Sequence, residues 1–158
     1  MARVRTSAGI VLYRYDADEL MVLLVHPGGP FWARKDAGAW SIPKGEYDPT
    51  VEDARMAAAR EFDEELGSAV PAGEWTDLGE VAQSRAKRVH AFAVAGTFDV
   101  DGVVSNAVEM EWPPKSGDTV RFPEVDRARW CDRGTARRLI LAGQRPFLDT
   151  LDECLRTS

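Results

Sequence analysis

Apolar positions gather first in two short runs. Residues 6–15 (TSAGIVLYRY) and Leu20 to His26 (LMVLLVH) read as a pair of strands, the second buried, joined by a turn over Asp16 to Glu19. The 27–38 stretch, PGGPFWARKDAG, interrupts them with Gly and Pro and reads as a loop long enough to carry function. Ala39 to Pro43 reads as a short strand. The period then becomes helical: at roughly 100° per residue, Val51, Ala58, Phe62 and Leu66 share an arc. Asp48-Pro49 marks a turn, Thr50 is the expected N-cap, and Asp53 three residues later completes a capping-box pattern. Arg55, Met56 and Ala57 to Ala59 favour helix, and Gly67 stands where a left-handed residue ends it. Residues 75–83 and 87–97 read as a hairpin, Asn106 to Gly117 as a loop broken by Pro113-Pro114, and Arg127 to Cys131 as a last strand. Thr135 to Leu141 and Pro146 to Leu155 read as two helices around Gly143. Repeats and low-complexity segments are absent.

Composition narrows the class. A chain of 158 residues, 44% apolar, can bury a substantial core without disulfides or metal staples, and residues 1–158 are expected to form a single domain. The longest apolar runs are far too short to span a bilayer, so no membrane partner is expected. The N-terminus, MARVRTSAGI, has no apolar core followed by a cleavage site. Cys131 and Cys154 lack metal-ligand spacing and read as reduced thiols, which places the expectation in the cytoplasm. A net charge of −6 argues against binding a nucleic-acid polymer through bulk electrostatics. It remains compatible with a small phosphate ligand, because a bound metal and a few local cations invert the field at one site. The expected assembly is a monomer or a homodimer.

The chemistry concentrates in residues 45–67. Glu61, Glu64 and Glu65 fall within an arc of roughly 100° on one helix, while Asp63 points away. Two such charges about 6 Å apart, at an effective dielectric near 20, repel by roughly 3 kcal/mol. A divalent ion removes that cost, and oxygen-only ligands favour Mg²⁺ or Mn²⁺ over zinc. The plain alternative for E-x-x-E-E alone is a solvated acidic face.

The same stretch resembles the Nudix box, G-x5-E-x7-R-E-U-x-E-E-x-G-U with U apolar. Gly45, Glu52, Arg60, Glu61, Phe62, Glu64, Glu65 and Gly67 occupy its fixed positions. Two positions depart: six residues separate Gly45 from Glu52, and Ser68 stands where an apolar residue is usual. The extra residue falls to the loop around Tyr47, Asp48 and Pro49. The resemblance implies an α/β (α+β) fold, an α/β/α sandwich with a mixed sheet. It implies metals held by Glu61, Glu64 and Glu65 with help from a backbone carbonyl at Lys44 or Gly45. Arg60 would orient the glutamates through charge-assisted hydrogen bonds, Glu52 would support the helix start, and Lys44 would reach a phosphate oxygen. Some members of the family draw a base from a loop outside the box. Glu109 and Glu111 are the candidates here, Glu124 is a third, and a box glutamate can also serve.

Base recognition is expected from aromatic residues: Phe31, Trp32, Trp40 and Trp112 are candidates to stack on a purine, against the alternative of ordinary packing. Arg34, Lys35, Arg85, Lys87 and Arg88 are candidate phosphate contacts, and His26 and His90 read as packed residues. The 26–46 motif resembles that of small, largely bacterial Nudix proteins described only as NTP pyrophosphohydrolases, and the PKG step resembles diadenosine tetraphosphate hydrolases. The expected reaction is metal-dependent hydrolysis of a nucleoside diphosphate linked to another moiety. Dinucleoside polyphosphates and nucleoside triphosphates lead, with ADP-ribose behind them. The alternative is a nucleotide-binding sensor of the same fold without turnover, for which a complete R-E-x-x-E-E set has no use. A protein-interaction module has no positive feature in the sequence.

Overall fold

A computed structural model describes residues 4–157. Residues 1–3 and 158, which the single-domain expectation includes and with which the N-terminal reading begins, lie outside the described residues. The first two apolar runs form β1 (Arg5–Asp16) and β2 (Glu19–Pro27), antiparallel from Tyr13↔Val22 to Asp16↔Glu19. β3 (Lys44–Glu46) pairs antiparallel with the start of β1, placing Gly45 opposite Ala8. β4 (Trp75–Ser84) and β5 (Lys87–Ala95) make the expected hairpin, and β5 runs parallel to β1 from Arg5↔Lys87 to Tyr13↔Ala95. With β8 (Val125–Asp132) beside β2, the mixed sheet runs β4-β5-β1-β2-β8, with β3 on β1.

Each face of the sheet is covered. Alternation along β1 sends Ala8, Ile10 and Leu12 to one side, where Ala57, Ala58, Phe62 and Leu66 of α1 (Ala54–Leu66) pack with Leu23 and Val94. Val11, Val22 and Leu24 face the other side, against Ala136 and Leu139 of α2 (Arg133–Leu139) and Phe147 and Leu151 of α3 (Arg145–Arg156). This is the expected α/β/α sandwich with a mixed sheet. No helix of the described residues is long and apolar enough to cross a membrane.

Four local expectations are corrected. Thr50 does not cap the helix: Asp48 Oδ1 takes the Thr50 amide at 2.9 Å and the Thr50 hydroxyl at 2.6 Å, closing a side-chain turn. Asp53 is the N-cap, accepting from the Met56 amide at 2.8 Å, so the helix begins at Ala54. Val51 therefore lies outside the apolar stripe and is 82% exposed. The 39–43 segment makes only isolated bridges, Val25↔Ser41 and Trp40↔Ile140, and regular pairing starts at Lys44. Within the expected loop 106–117, Ala107–Glu111 is a strand, β6, paired with β7 (Thr119–Pro123) in a separate two-stranded sheet. Gly67 does end α1 in the left-handed conformation, φ 80°.

Candidate functional site

The last two turns of α1 lie directly under β3. A methyl group on Gly45 would sit 1.9 Å from Glu61 Oε2, so the backbone of β3 touches that carboxylate. One residue back, the Lys44 amide donates to Glu65 Oε2 at 3.2 Å. Glu61 and Glu65 are buried at 8% and 7% exposure, while Glu64 stays half-exposed.

Arg60 organises the outer side of the cluster. Its Nε and Nη2 grip Glu52 at 3.0 and 2.9 Å, and its Nη1 donates to Glu61 Oε1 at 2.8 Å and to Glu64 Oε2 at 3.2 Å. The guanidinium thus ties the start of the box to its catalytic-looking end, and its proton affinity is raised chiefly by the bond to Glu52.

A cleft of about 420 Å³ opens beside the cluster. Glu65 and Glu124 line it, the latter at the junction of β7 and β8, together with Lys44, Arg5, Lys87 and Trp32. Burial, with Glu124 beside it and Lys44 opposing, pushes the Glu65 carboxyl up to about 8. Glu61 is raised by burial against the pull of Arg60, and Glu124 by burial and then by the Glu64 charge. Burial holds the Lys44 ammonium below its usual range, with Glu65 opposing. Four carboxylates, Glu61, Glu64, Glu65 and Glu124, therefore feel one another across a small, partly dry space.

Among the described residues, no three acidic, His or Cys side chains are gathered at metal-ligand spacing, and Arg60 engages Glu61 and Glu64. The donor set nevertheless fits a hard divalent cation. Its oxygens are carboxylate oxygens, they destabilise one another's charged forms, and the glycine at 45 lets the backbone of β3 come against the Glu61 carboxylate where a side chain would collide.

The remaining candidates divide. Trp32 faces the cleft, while Phe31 is 49% exposed beside it, ring centroids 5.0 Å apart, with Lys35 Nζ 3.6 Å from the Phe31 centroid. Arg34, Arg85 and Trp112 are not among the cleft residues, and Arg88 is paired with Glu80. Trp40 is buried, donating from Nε1 to Asp36. Glu109 and Glu111 are exposed on β6; Glu109 faces Arg121 at 3.9 Å and Glu111 accepts from the Lys115 amide at 2.6 Å. The structure does not bring either to the cleft. His26 is fully buried, Nδ1 3.0 Å from Asp126 Oδ1 and Nε2 2.7 Å from the Lys35 carbonyl, so it ties the 27–38 loop to β8. His90 pairs with Asp77 and stacks on Phe92. Sequence reasoning missed Arg5 and Gln83 at the cleft; their only signal is strand register, which no local motif carries.

Residues 3–151 match the NUDIX domain family. No curated protein sequence matches the chain. Solved structures with the same fold include a Caenorhabditis elegans Ap4A hydrolase in a binary complex (TM-score 0.64, 21% identity, 98% of this chain and 100% of that one). The NUDIX domain of Shewanella oneidensis NrtR, complexed with ADP ribose, is another (TM-score 0.61, 17% identity, 98% and 90%). The MutT protein of Methanosarcina mazei Go1 is a third (TM-score 0.59, 19% identity, 98% and 97%). At these identities the likeness speaks for the fold.

Proposed function

This chain belongs to the NUDIX domain family and is a Nudix hydrolase, and we propose that it cleaves a phosphoanhydride bond of a nucleoside diphosphate linked to another moiety. The observation that carries the reading is one cleft in which two carboxylates, the buried Glu65 and the half-buried Glu124, lie beside the cations Lys44, Arg5 and Lys87 and the ring of Trp32. A dinucleoside polyphosphate or a nucleoside triphosphate is the favoured substrate and ADP-ribose the next. The Ap4A, MutT and ADP-ribose proteins of the same fold support that range.

Nudix domains generally use divalent metal ions. In this chain Glu61, Glu64 and Glu65, with a carbonyl at Lys44 or Gly45, would hold Mg²⁺ or Mn²⁺. When bound, such an ion supplies positive charge to the phosphate oxygens and activates water. The protein's own groups do the rest. Arg60 fixes the Glu61 and Glu64 carboxylates from the outer side. Lys44, Lys87 and Arg5 draw the phosphate chain into the cleft, and Trp32 offers a face to the base. Glu124 takes the role of general base: it lines the cleft beside Glu65, and burial and the Glu64 charge raise its proton affinity above that of an ordinary carboxylate. The reaction takes place within a single domain spanning the chain and, with Cys131 and Cys154 read as reduced thiols, in the reducing cytoplasm.

A panel of dinucleoside polyphosphates, nucleoside triphosphates and ADP-ribose with Mg²⁺, read by product chromatography, tests the proposal. Turnover of one class at least tenfold above the others supports it; the absence of turnover on every member overturns it. The second reading, a sensor that binds nucleotide without cleaving it, is favoured by the likeness to the NrtR domain bound to ADP ribose. It predicts ligand binding on the same panel with no products.

A further inference from the structure

A buried amide relay sits against the cleft wall. Gln144 is fully buried in the turn Ala142–Gln144, between α2 and α3. Which end of its amide is oxygen is settled by a neighbour that can only donate: the Ile42 backbone N–H reaches Gln144 Oε1 at 3.1 Å. The other end is then Nε2, which donates to Ser41 Oγ at 3.0 Å and to Gln83 Oε1 at 2.9 Å. Ser41 Oγ sends its own proton to the Ile42 carbonyl at 2.7 Å. Both polar atoms of the Gln144 side chain are used, and the orientation of its amide is fixed.

Gln83 inherits a polarity from that arrangement. Its Oε1 is occupied by Gln144, so its Nε2, with two N–H donors, is the free end, and it has no hydrogen-bond partner among the described residues. Turning the amide round would set N–H against N–H and forfeit the bond to Gln144. Gln83 is half-buried and lines the cleft with Ser41, Ile42, Leu141 and Trp32. Its backbone is held from below, because a methyl group on Gly143 would lie 2.1 Å from the Gln83 carbonyl oxygen. The cleft wall thus presents a pair of donors whose polarity Gln144 sets.

We infer that Gln83 contacts the substrate and offers it donors only, and that Gln144 is the positioning residue that sets this polarity. The inference rests on the nucleotide reading above and deepens it. The matching ligand group is an acceptor oxygen of a nucleotide, either the keto oxygen of a base or a non-bridging phosphoryl oxygen. An exocyclic amino group at the same place would face N–H donors and leave them unpaired.

Inosine and adenosine triphosphates, which carry the same phosphates and differ at the base edge, separate the two sources. Steady-state KM and kcat, with calorimetric Kd alongside, are measured for the parent, Gln83→Leu and Gln144→Glu. A contact to the base raises KM and Kd for the inosine nucleotide at least fivefold in Gln83→Leu and leaves adenosine unchanged. A contact to phosphate raises both at least fivefold together, with kcat changed less. Either pattern supports the donor role. Gln144→Glu reproduces the Gln83→Leu pattern with Gln83 still in place, because a carboxylate at 144 accepts from both Ile42 and a reversed Gln83 amide. Where that buried charge prevents folding, Gln83→Leu alone decides, since Gln83 is only half-buried. Constants within twofold of the parent for both nucleotides, in a Gln83→Leu protein of unchanged melting temperature, overturn the inference. A parent that binds these nucleotides without cleaving them leaves the relay to the Kd comparison and hydrolysis to the wider substrate panel; a parent that binds neither overturns the inference and leaves hydrolysis to that panel.

Discussion

Gly45 shows how much a single position decides. No side chain fits between β3 and the Glu61 carboxylate, yet Glu61 is the far end of a flexible chain and can move aside. Gly45→Ala is therefore expected to leave the melting temperature within a few degrees of the parent while displacing Glu61 and lowering kcat/KM at least tenfold, about 1.4 kcal/mol in transition-state stabilisation. Turnover equal to the parent's would show that Glu61 and β3 need not touch. Glu65 makes a second prediction, in stability. Its folded-state proton affinity is raised to about 8, so the native state binds more protons than the unfolded chain between roughly pH 4.3 and 8. Without metal, ionising Glu65 therefore lowers stability as pH rises through that window, and the full loss is present above it. Glu65→Gln removes that ionisation, so its metal-free melting temperature should exceed the parent's at pH 8 and converge with it near pH 4. The opposite order at pH 8 would make Glu65 a structural carboxylate. Residues 61, 64 and 65 were legible in the sequence because helical spacing alone puts them on one face. Glu124 was only one of three acids named outside the box, and Arg5 and Gln83 were invisible, because what gathers them is pairing between distant strands.

Elements that obey one strong local rule were read correctly, and those governed by competition were not. The helix from Asp53 to Gly67 has its period and its terminal glycine; its start shifted because the Asp48 carboxylate captured Thr50, which absorbed the extra residue of the box into a turn. The β6–β7 hairpin escaped notice because its strands are short, exposed and separated by Pro113-Pro114, so alternation had little burial to reinforce it. The 27–38 loop is an element by its anchors: His26 holds the Lys35 carbonyl and Trp40 holds Asp36. His26→Ala leaves that carbonyl and Asp126 without a buried partner, and a loss of about 1–3 kcal/mol in unfolding free energy is expected from denaturant titration. An effect below about 0.5 kcal/mol would mean the loop is held elsewhere. Trp32 belongs to the same loop. If its ring stacks on the base, Trp32→Ala raises KM roughly tenfold with kcat changed less, since stacking contributes on the order of 1–3 kcal/mol. An unchanged KM with a lower melting temperature would return Trp32 to packing.

At the scale of the molecule, the sheet brings the parts of the site together. β1 carries β3 on one edge and β5 on the other, so Lys44, Arg5 and Lys87 arrive at the same end of neighbouring strands. β8 begins at that end, next to Glu124, and α1 delivers Glu61, Glu64 and Glu65 from beneath. A chain of net charge −6 thereby places cations and buried carboxylates around one cleft, where a metal ion would convert mutual repulsion into binding. The measurement that bears most directly on this account is steady-state turnover of nucleoside triphosphates and dinucleoside polyphosphates as Mg²⁺ is titrated, for the parent, Glu65→Gln and Glu124→Gln. The account predicts saturable Mg²⁺ dependence in the parent and a fall in kcat of at least a hundredfold in Glu65→Gln, with the fold intact by circular dichroism. Glu124→Gln should also fall, and it should lose the rise in rate toward alkaline pH that a carboxylate base produces. Parent turnover that ignores Mg²⁺, or a Glu65→Gln protein within threefold of the parent, would contradict it.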